Sequence, residues 1–442
     1  MLGMMILWTI LPGGAAPSMA EGNGSAAVAP KPRHVSYYYD AFEQGFTRPI
    51  SRATDPALLV RRLSRNHREA VNVDENDQVR LPSTWWQPRV GFRFVSVEQM
   101  LRGADPQAGP APGKFTVVKL KTQGVSPGIQ VKDERGSKFA FKFDPPKYPE
   151  MASGADVAVS YLYWAAGYNV PQNSIVHFHR SDLVVAPDAT YEDETGRKHP
   201  VTPELVDNML TRVHQEPDGS YRAVASRWLA GKPLGEWEYS GRREDDPEDL
   251  IPHELRREVR GLWVIYAWTN DTDCSARNTF TSWVTGGGRS FVRHYLIDFS
   301  GALGSASIEP QTMRGGSEYL MDYEVAGTSL MTIGLLRQKW ESAVDPALPS
   351  VGFIDSRTFD PENWRPFLPN PAFDDRTERD MRWGARIVAG FTDEHIRAAI
   401  QMGRYTDPRA AEYLTRILIE RRDKIIRRWL GAQTGTVSKI AK

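Results

Sequence analysis

The sequence predicts an α+β protein in two unequal parts, a small sheet with one main helix followed by a larger, mainly helical half. Two patterns lead there. From 115 to 143 apolar and polar residues alternate with the period of half-buried strands, and a helix-period stretch over 153–167 follows them. Beyond a charged stretch at 240–252 the apolar period becomes helical, and the chain closes on a long helix. A third observation excludes a simple helical bundle, because 31 Pro and 36 Gly in 442 residues break the chain too often for one.

Taken in order, strands are expected over 115–121, 129–132 and 138–143. The last reads KFAFKF, with Phe139, Phe141 and Phe143 on one face, and Asp133-Glu134-Arg135-Gly136 supplies the turn before it. In the helix over 153–167, Ala155, Ala158, Leu162 and Ala165 share a face, and Gly167 is placed to end it. Short strands follow at 175–178, 183–186 and 222–229. Leu255, Val259, Leu262, Trp263 and Tyr266 then mark a helix that stops near Trp268. Strands over 279–284 and 291–297 flank the turn Gly286-Gly287-Gly288-Arg289. The clearest helix covers 408–430, with Asp407 as N-cap, Pro408 at its first position and Gly431 just past its end. Between 344 and 373 prolines and aromatics show little periodicity, and no internal repeat is present.

Composition narrows the function classes. Lys+Arg and Asp+Glu both total 55, so no global basic field exists and no nucleic-acid partner is expected. An apolar share of 40% excludes a mainly disordered chain. Cys274 is the one cysteine, so neither an intrachain disulfide nor a Cys-rich zinc site can form. At the N-terminus an apolar run over 2–11, a Pro-Gly break and Ser18-Met19-Ala20 fit a signal peptide cleaved after Ala20, which would make the protein periplasmic or secreted. No Lys or Arg precedes that run, and without cleavage the expectation is cytoplasmic. No later stretch reaches the roughly 20 apolar residues of a transmembrane span. The division expected is a signal at 1–20, a leader and N-terminal extension at 21–114, a first lobe at 115–226 and a second at 227–442.

The segment WTNDTDCSARN, 268–278, crowds Asp271, Asp273 and Asn278 onto a loop between a buried helix and a strand. Asp298 follows the second strand of the next hairpin. A hairpin returns its end to near its beginning, so these oxygens gather into a cluster suited to Mg2+. Lys142 sits inside an apolar alternating strand, where an ammonium needs an anionic partner. The spacing of Asp273 and Asn278 resembles the catalytic loop D-x-x-x-x-N of protein kinases, and Asp298-Phe299-Ser300 resembles the D-F-G that follows it. Asn270-x-x-Asp273 is similar to an element of the HipA-like kinases, and more distantly the chain resembles phosphatidylinositol kinases and CotH-type kinases.

That resemblance implies a two-lobed kinase-like fold, a small antiparallel-sheet N-lobe with one main helix and a larger helical C-lobe. It implies ATP and Mg2+ as cofactors and transfer of the γ-phosphoryl group to a hydroxyl of an unidentified protein or small-molecule acceptor. Asp273 would be the catalytic base, while Asn278 and Asp298 would hold metal. Lys142 would bind phosphate, under a loop from Gly124 to Gly128 that departs from G-x-G-x-x-G. The lysine's partner, ordinarily Glu, would be Asp156, with Glu150 as the second choice. Residues 226–229 would form the adenine hinge. The alternative is a pseudokinase that uses the same fold as a binding or scaffold module.

Weaker signals read as structural. His177 and His179 form a half-exposed pair on a strand, and Cys274 packs the loop. Arg416, Arg421, Arg422, Lys424, Arg427 and Arg428 give the last helix a basic side, either solvated or open to an acidic partner.

Overall fold

The computed structural model describes residues 28–33, 46–54, 56, 68–105, 107, 109–121, 127–193, 196–332, 335 and 337–431. The signal segment with its cleavage site, and Gly124, lie outside the described residues. The first half runs α1 (Arg48–Thr54), α2 (Val97–Arg102), β1 (Phe115–Lys121), β2 (Gly128–Lys132), β3 (Lys138–Phe143), α3 (Met151–Ala165), β4 (Asn173–Phe178), β5 (Leu183–Glu192), β6 (Lys198–Pro200), α4 (Pro203–Leu210) and β7 (Tyr221–Arg227). The second half runs β8 (Lys232–Gly235), α5 (Arg257–Thr269), β9 (Thr279–Gly286), β10 (Arg289–Leu296), α6 (Tyr323–Met331), α7 (Pro371–Asp374), α8 (Glu378–Ala389), α9 (Asp393–Met402) and α10 (Pro408–Trp429).

The alternation in β3 decides the two faces of the first sheet. Phe139, Phe141 and Phe143 join Phe115, Phe178 and the buried side of α4 in one apolar cluster, so Ala140 and Lys142 point to the opposite face, toward α3. The sheet has seven strands in the order β4-β7-β3-β2-β1-β5-β6. It is antiparallel except for β1 and β5, which run parallel across a bulge, where the sequence reading expected antiparallel pairing throughout. Residues 179–182 alone separate β4 from β5. So short a link forces the sheet to curl until its two sides approach, and the Phe115 and Phe178 rings stand 6.0 Å apart. His179 falls in that link, beyond the end of β4, and the exposed His177 remains on the strand.

Helix α3 belongs to the other, larger core, shared with α5, α8, α9 and α10. After Met151 its N-terminal turns read ASGA, small residues that let the helix approach its neighbours closely. A Cβ on Gly154 would lie 2.5 Å from the Tyr405 ring. Asp144, just after β3, accepts from the Ser153 N–H at 2.8 Å and so satisfies one of the free donors at the helix start. At the other end Gly167 has φ 110, and a Cβ there would lie 2.1 Å from Trp86 Nε1. Trp86 itself donates to the Ala166 carbonyl at 2.8 Å. Trp85, Trp86, Val90, Val95 and Met100 are all buried in this large core, so the described part of the N-terminal extension is built into the body of the molecule.

The charged stretch 240–252 is also ordered, for a reason hidden in its sequence. Asp249 accepts from the Arg243 N–H at 2.7 Å, meets His253 Nε2 at 2.7 Å and pairs with Arg256 at 2.9 Å. Most of the cations on the basic side of α10 are engaged within the chain, while Arg427 is exposed. Arg416 pairs with Glu420, Arg422 with Asp393 and Arg428 with Glu362 and Glu378. Lys424 donates to the carbonyls of Arg357 and Phe359. Arg421 is buried against the C-terminal end of α5, where the helix dipole is negative, and donates to the Trp268 carbonyl at 2.9 Å. Among the described residues no helix is long and apolar enough to cross a membrane.

Candidate active site

Lys142 Nζ lies 2.9 Å from Asp156 Oδ2 on α3 and 2.9 Å from Asp298 Oδ1 beyond β10. The other Asp156 oxygen accepts from Asn173 Nδ2 at 2.8 Å and from the Phe299 N–H at 3.3 Å. Asp156 is fully buried, and every one of these bonds compensates that burial. Its side chain is a methylene shorter than Glu, and the small residues of α3 bring the helix near enough for it to reach. Glu150 is engaged elsewhere: it starts α3 with φ 65 and accepts from the Thr406 N–H at 3.0 Å. Burial opposes the Lys142 ammonium, but Asp156 and Asp298 together outweigh it and hold its pKa above the ordinary lysine value. Burial lifts Asp156. For Asp298 burial is outweighed by Lys142, the Ser300 hydroxyl and Lys121, which hold it below the usual carboxylate range.

The loop after α5 turns sharply because Asn270 caps the helix at φ 52, a conformation Asn tolerates better than most residues. Its side chain is tied on both sides: Trp364 Nε1 donates to Oδ1 at 3.0 Å, and Nδ2 donates to Gln311 at 3.0 Å. Asp271 is consequently buried, with the Tyr163 hydroxyl 3.4 Å away, while Asp273 is largely but not fully buried. Asn278 donates from Nδ2 to the Asp273 carbonyl at 2.7 Å, and its buried Oδ1 has no hydrogen-bond partner. The β9–β10 hairpin then returns the chain, with the Ile297 N–H on the Asn278 carbonyl at 3.0 Å. Four residues beyond Ile297, Gly301 comes so close that a Cβ there would lie 3.4 Å from Asp273 Cβ. Asp273, Asn278 and Asp298 thus border one another.

Burial raises the Asp273 pKa against the counteracting Arg277 and the Asn278 amide, with Asp298 adding to the rise. Burial and the adjacent Asp273 push Asp271 well above the ordinary range. The Cys274 thiol is pushed well up by burial and by the same two carboxyls, so it stays protonated and packs the loop. A folded-state pKa above the unfolded value means that Asp271 binds its proton more tightly in the folded chain. Its contribution is fully present below the unfolded pKa and is lost as pH rises toward the folded one. Each pH unit between the two costs about 1.4 kcal/mol. Asp271→Asn therefore raises the melting temperature at pH 7 more than at pH 4, by a few degrees, in a melting series across that range.

A divalent ion fits this group. Asp298 offers a carboxylate and Asn278 a buried amide oxygen, whereas no three His, Cys, Asp or Glu side chains gather into a metal cage among the described residues. Mg2+ tolerates such a partial ligand set, since it keeps water and takes phosphate oxygens. Gly128 opens β2, paired on one side with Lys121 and on the other with Lys142. In the expected hinge, the N–H groups of Arg227 and Trp228 donate to the carbonyls of Gln172 and Lys138.

Sequence reasoning missed Asn173, the second anchor of Asp156, and Lys121. Burial pushes the Lys121 ammonium down to about 7, helped by Lys142 and opposed by Asp298. The signal for Lys121 was its place directly across from Gly128, which becomes visible only once the strand register is known.

No family model and no curated protein matches the chain. Among solved structures it is similar to the Helicobacter pylori proinflammatory kinase CtkA, at 13% identity and TM-score 0.36 over 80% of this chain and 99% of that one. It is also similar to hydra Fam20 with sugar, at 9% identity and TM-score 0.29 over 73% and 88% of the two chains. A third is the golgi casein kinase, at 9% identity and TM-score 0.26 over 87% and 90%.

Proposed function

We propose that this chain is a kinase-like phosphotransferase that moves the γ-phosphoryl group of ATP to a hydroxyl of a protein or small molecule. The observation that carries the reading is the ammonium of Lys142 fixed between Asp156 and Asp298, beside a loop that presents Asp273 and the unpartnered Oδ1 of Asn278. Lys142 binds phosphate oxygens, and Asp156 orients it. Asp298 and Asn278 would hold Mg2+, which, when bound, supplies neutralisation of phosphate charge. Lys142 and Ser300 both use Oδ1 of Asp298, which leaves Oδ2 as the oxygen that would hold a metal. Asp273 accepts the proton of the acceptor hydroxyl on its carboxylate, and its raised pKa makes it a stronger base than an ordinary Asp. The Asn270-x-x-Asp273 element aligns the reading with HipA-like kinases.

A melting experiment with ATP and Mg2+ tests this. Ligand at 100 times its dissociation constant stabilises by about 2.7 kcal/mol, and Asp298→Asn should remove the Mg2+-dependent part of that gain. No stabilisation by any nucleotide at millimolar concentration would overturn the proposal.

A further inference from the structure

Lys121, Gly128 and Lys142 form a row across three neighbouring strands: Lys121 of β1 pairs with Gly128 of β2, and Gly128 pairs with Lys142 of β3. Directly paired residues project from the same face of a sheet. For this row it is the face away from the phenylalanine cluster, since Ile129, Phe141 and Leu120 beside it all belong to that cluster. The row continues with Val224 and Ile175, both packed in the core beneath α3. One end of the row is therefore apolar and closed, and the other carries two ammonium groups with a residue lacking any side chain between them.

The gap is specific. A Cβ at Gly128 would lie 3.0 Å from the Phe141 carbonyl and 3.5 Å from Lys121 Cδ, so the Lys121 arm lies across the glycine, toward Lys142. Two strand spacings, roughly 10 Å, separate the two lysine Cα atoms, a span that both arms can close around one chain of phosphates. Asp298, 2.9 Å from the Lys142 ammonium, also lies within electrostatic reach of Lys121.

We propose that Lys121 is a second polyphosphate-binding residue, which grips the oligophosphate opposite Lys142 across the Gly128 gap. The inference rests on the nucleotide reading above and adds a residue to its site. It predicts that recognition lies in the phosphate chain as well as in the base, so that Mg2+ tripolyphosphate binds without a nucleoside.

Titration calorimetry with three probes, Mg2+ ATP, Mg2+ tripolyphosphate and adenosine, tests it on the full chain. Lys121→Met should weaken both polyphosphate ligands by about tenfold or more, as expected for loss of one charge-assisted contact. Lys121→Arg should retain most of the affinity, and adenosine binding should be unchanged in both. Should Lys121→Met fail to fold, Gly128→Ala examines the same gap, and the same selective loss is expected. Wild-type affinity for both polyphosphates in Lys121→Met overturns the proposal, as does an equal loss for adenosine. Binding of tripolyphosphate but not of ATP by the wild type, still sensitive to Lys121→Met, would sink the nucleotide reading and keep this one. Wild type binding neither polyphosphate would overturn both.

Discussion

Asp273→Asn is expected to abolish phosphoryl transfer while nucleotide still stabilises the protein. A positioned general base contributes about 10²–10⁴-fold in rate, and Asn keeps the shape of the side chain without the proton acceptor. The bond from Asn278 to the carbonyl of residue 273 survives, because it is made to the backbone. The wild-type rate should fall as pH drops through the Asp273 pKa, which lies above that of an ordinary Asp because of burial and the neighbouring Asp298. Steady-state rates against pH, set beside melting curves with and without ATP, separate base from binding. Full transfer by Asp273→Asn would remove it as the base and pass the role to Asp271. A wild type that binds nucleotide yet transfers to no acceptor would assign the chain to the scaffold class instead.

Lys142→Met is expected to be the most damaging substitution in the first lobe. It leaves Asp156 and Asp298 facing each other without their shared cation, and breaking a buried ion pair from one side costs about 3–5 kcal/mol. The loss has a pH signature. Asp298, held low by Lys142 in the wild type, contributes stability above its unfolded pKa that disappears as pH falls. Without the lysine both carboxyls are driven up by burial, so the deficit of the variant is small near pH 4 and grows toward neutrality. Denaturant melts at the two pH values measure this directly. Adding Asp156→Asn to Lys142→Met should recover much of the stability, since one buried charge is gone, but no nucleotide binding. A double variant no more stable than the single one would show that the pair is not coupled as its 2.9 Å contact implies.

Much of this architecture was legible in the residue order. Strict alternation in KFAFKF fixes β3 and its buried Phe face, and the chain adopts that strand over the residues the pattern indicates. Asp407, Pro408 and Gly431 likewise bound α10, because cap and first-turn preferences are local. The approach of Asp298 to Asp273 also followed from sequence, since a tight hairpin must return its ends together.

What could not be read were contacts between segments far apart in the chain. The parallel pairing of β1 with β5 depends on how far the sheet curls, which no single strand encodes. The partners of Arg422 and Arg428 on α10, namely Asp393, Glu362 and Glu378, lie elsewhere in the chain. Where the N-terminal extension packs was equally hidden: Trp86 and Val90 close the end of α3. The choice of Asp156 over Glu150, and the pairing of Lys121 with Lys142 across Gly128, were decided in the same way. Periodicity and capping are properties of a few consecutive residues and can be read along the chain. Register, sheet curl and the partner of a buried charge depend on which surfaces meet, and for this protein tertiary packing alone settled them.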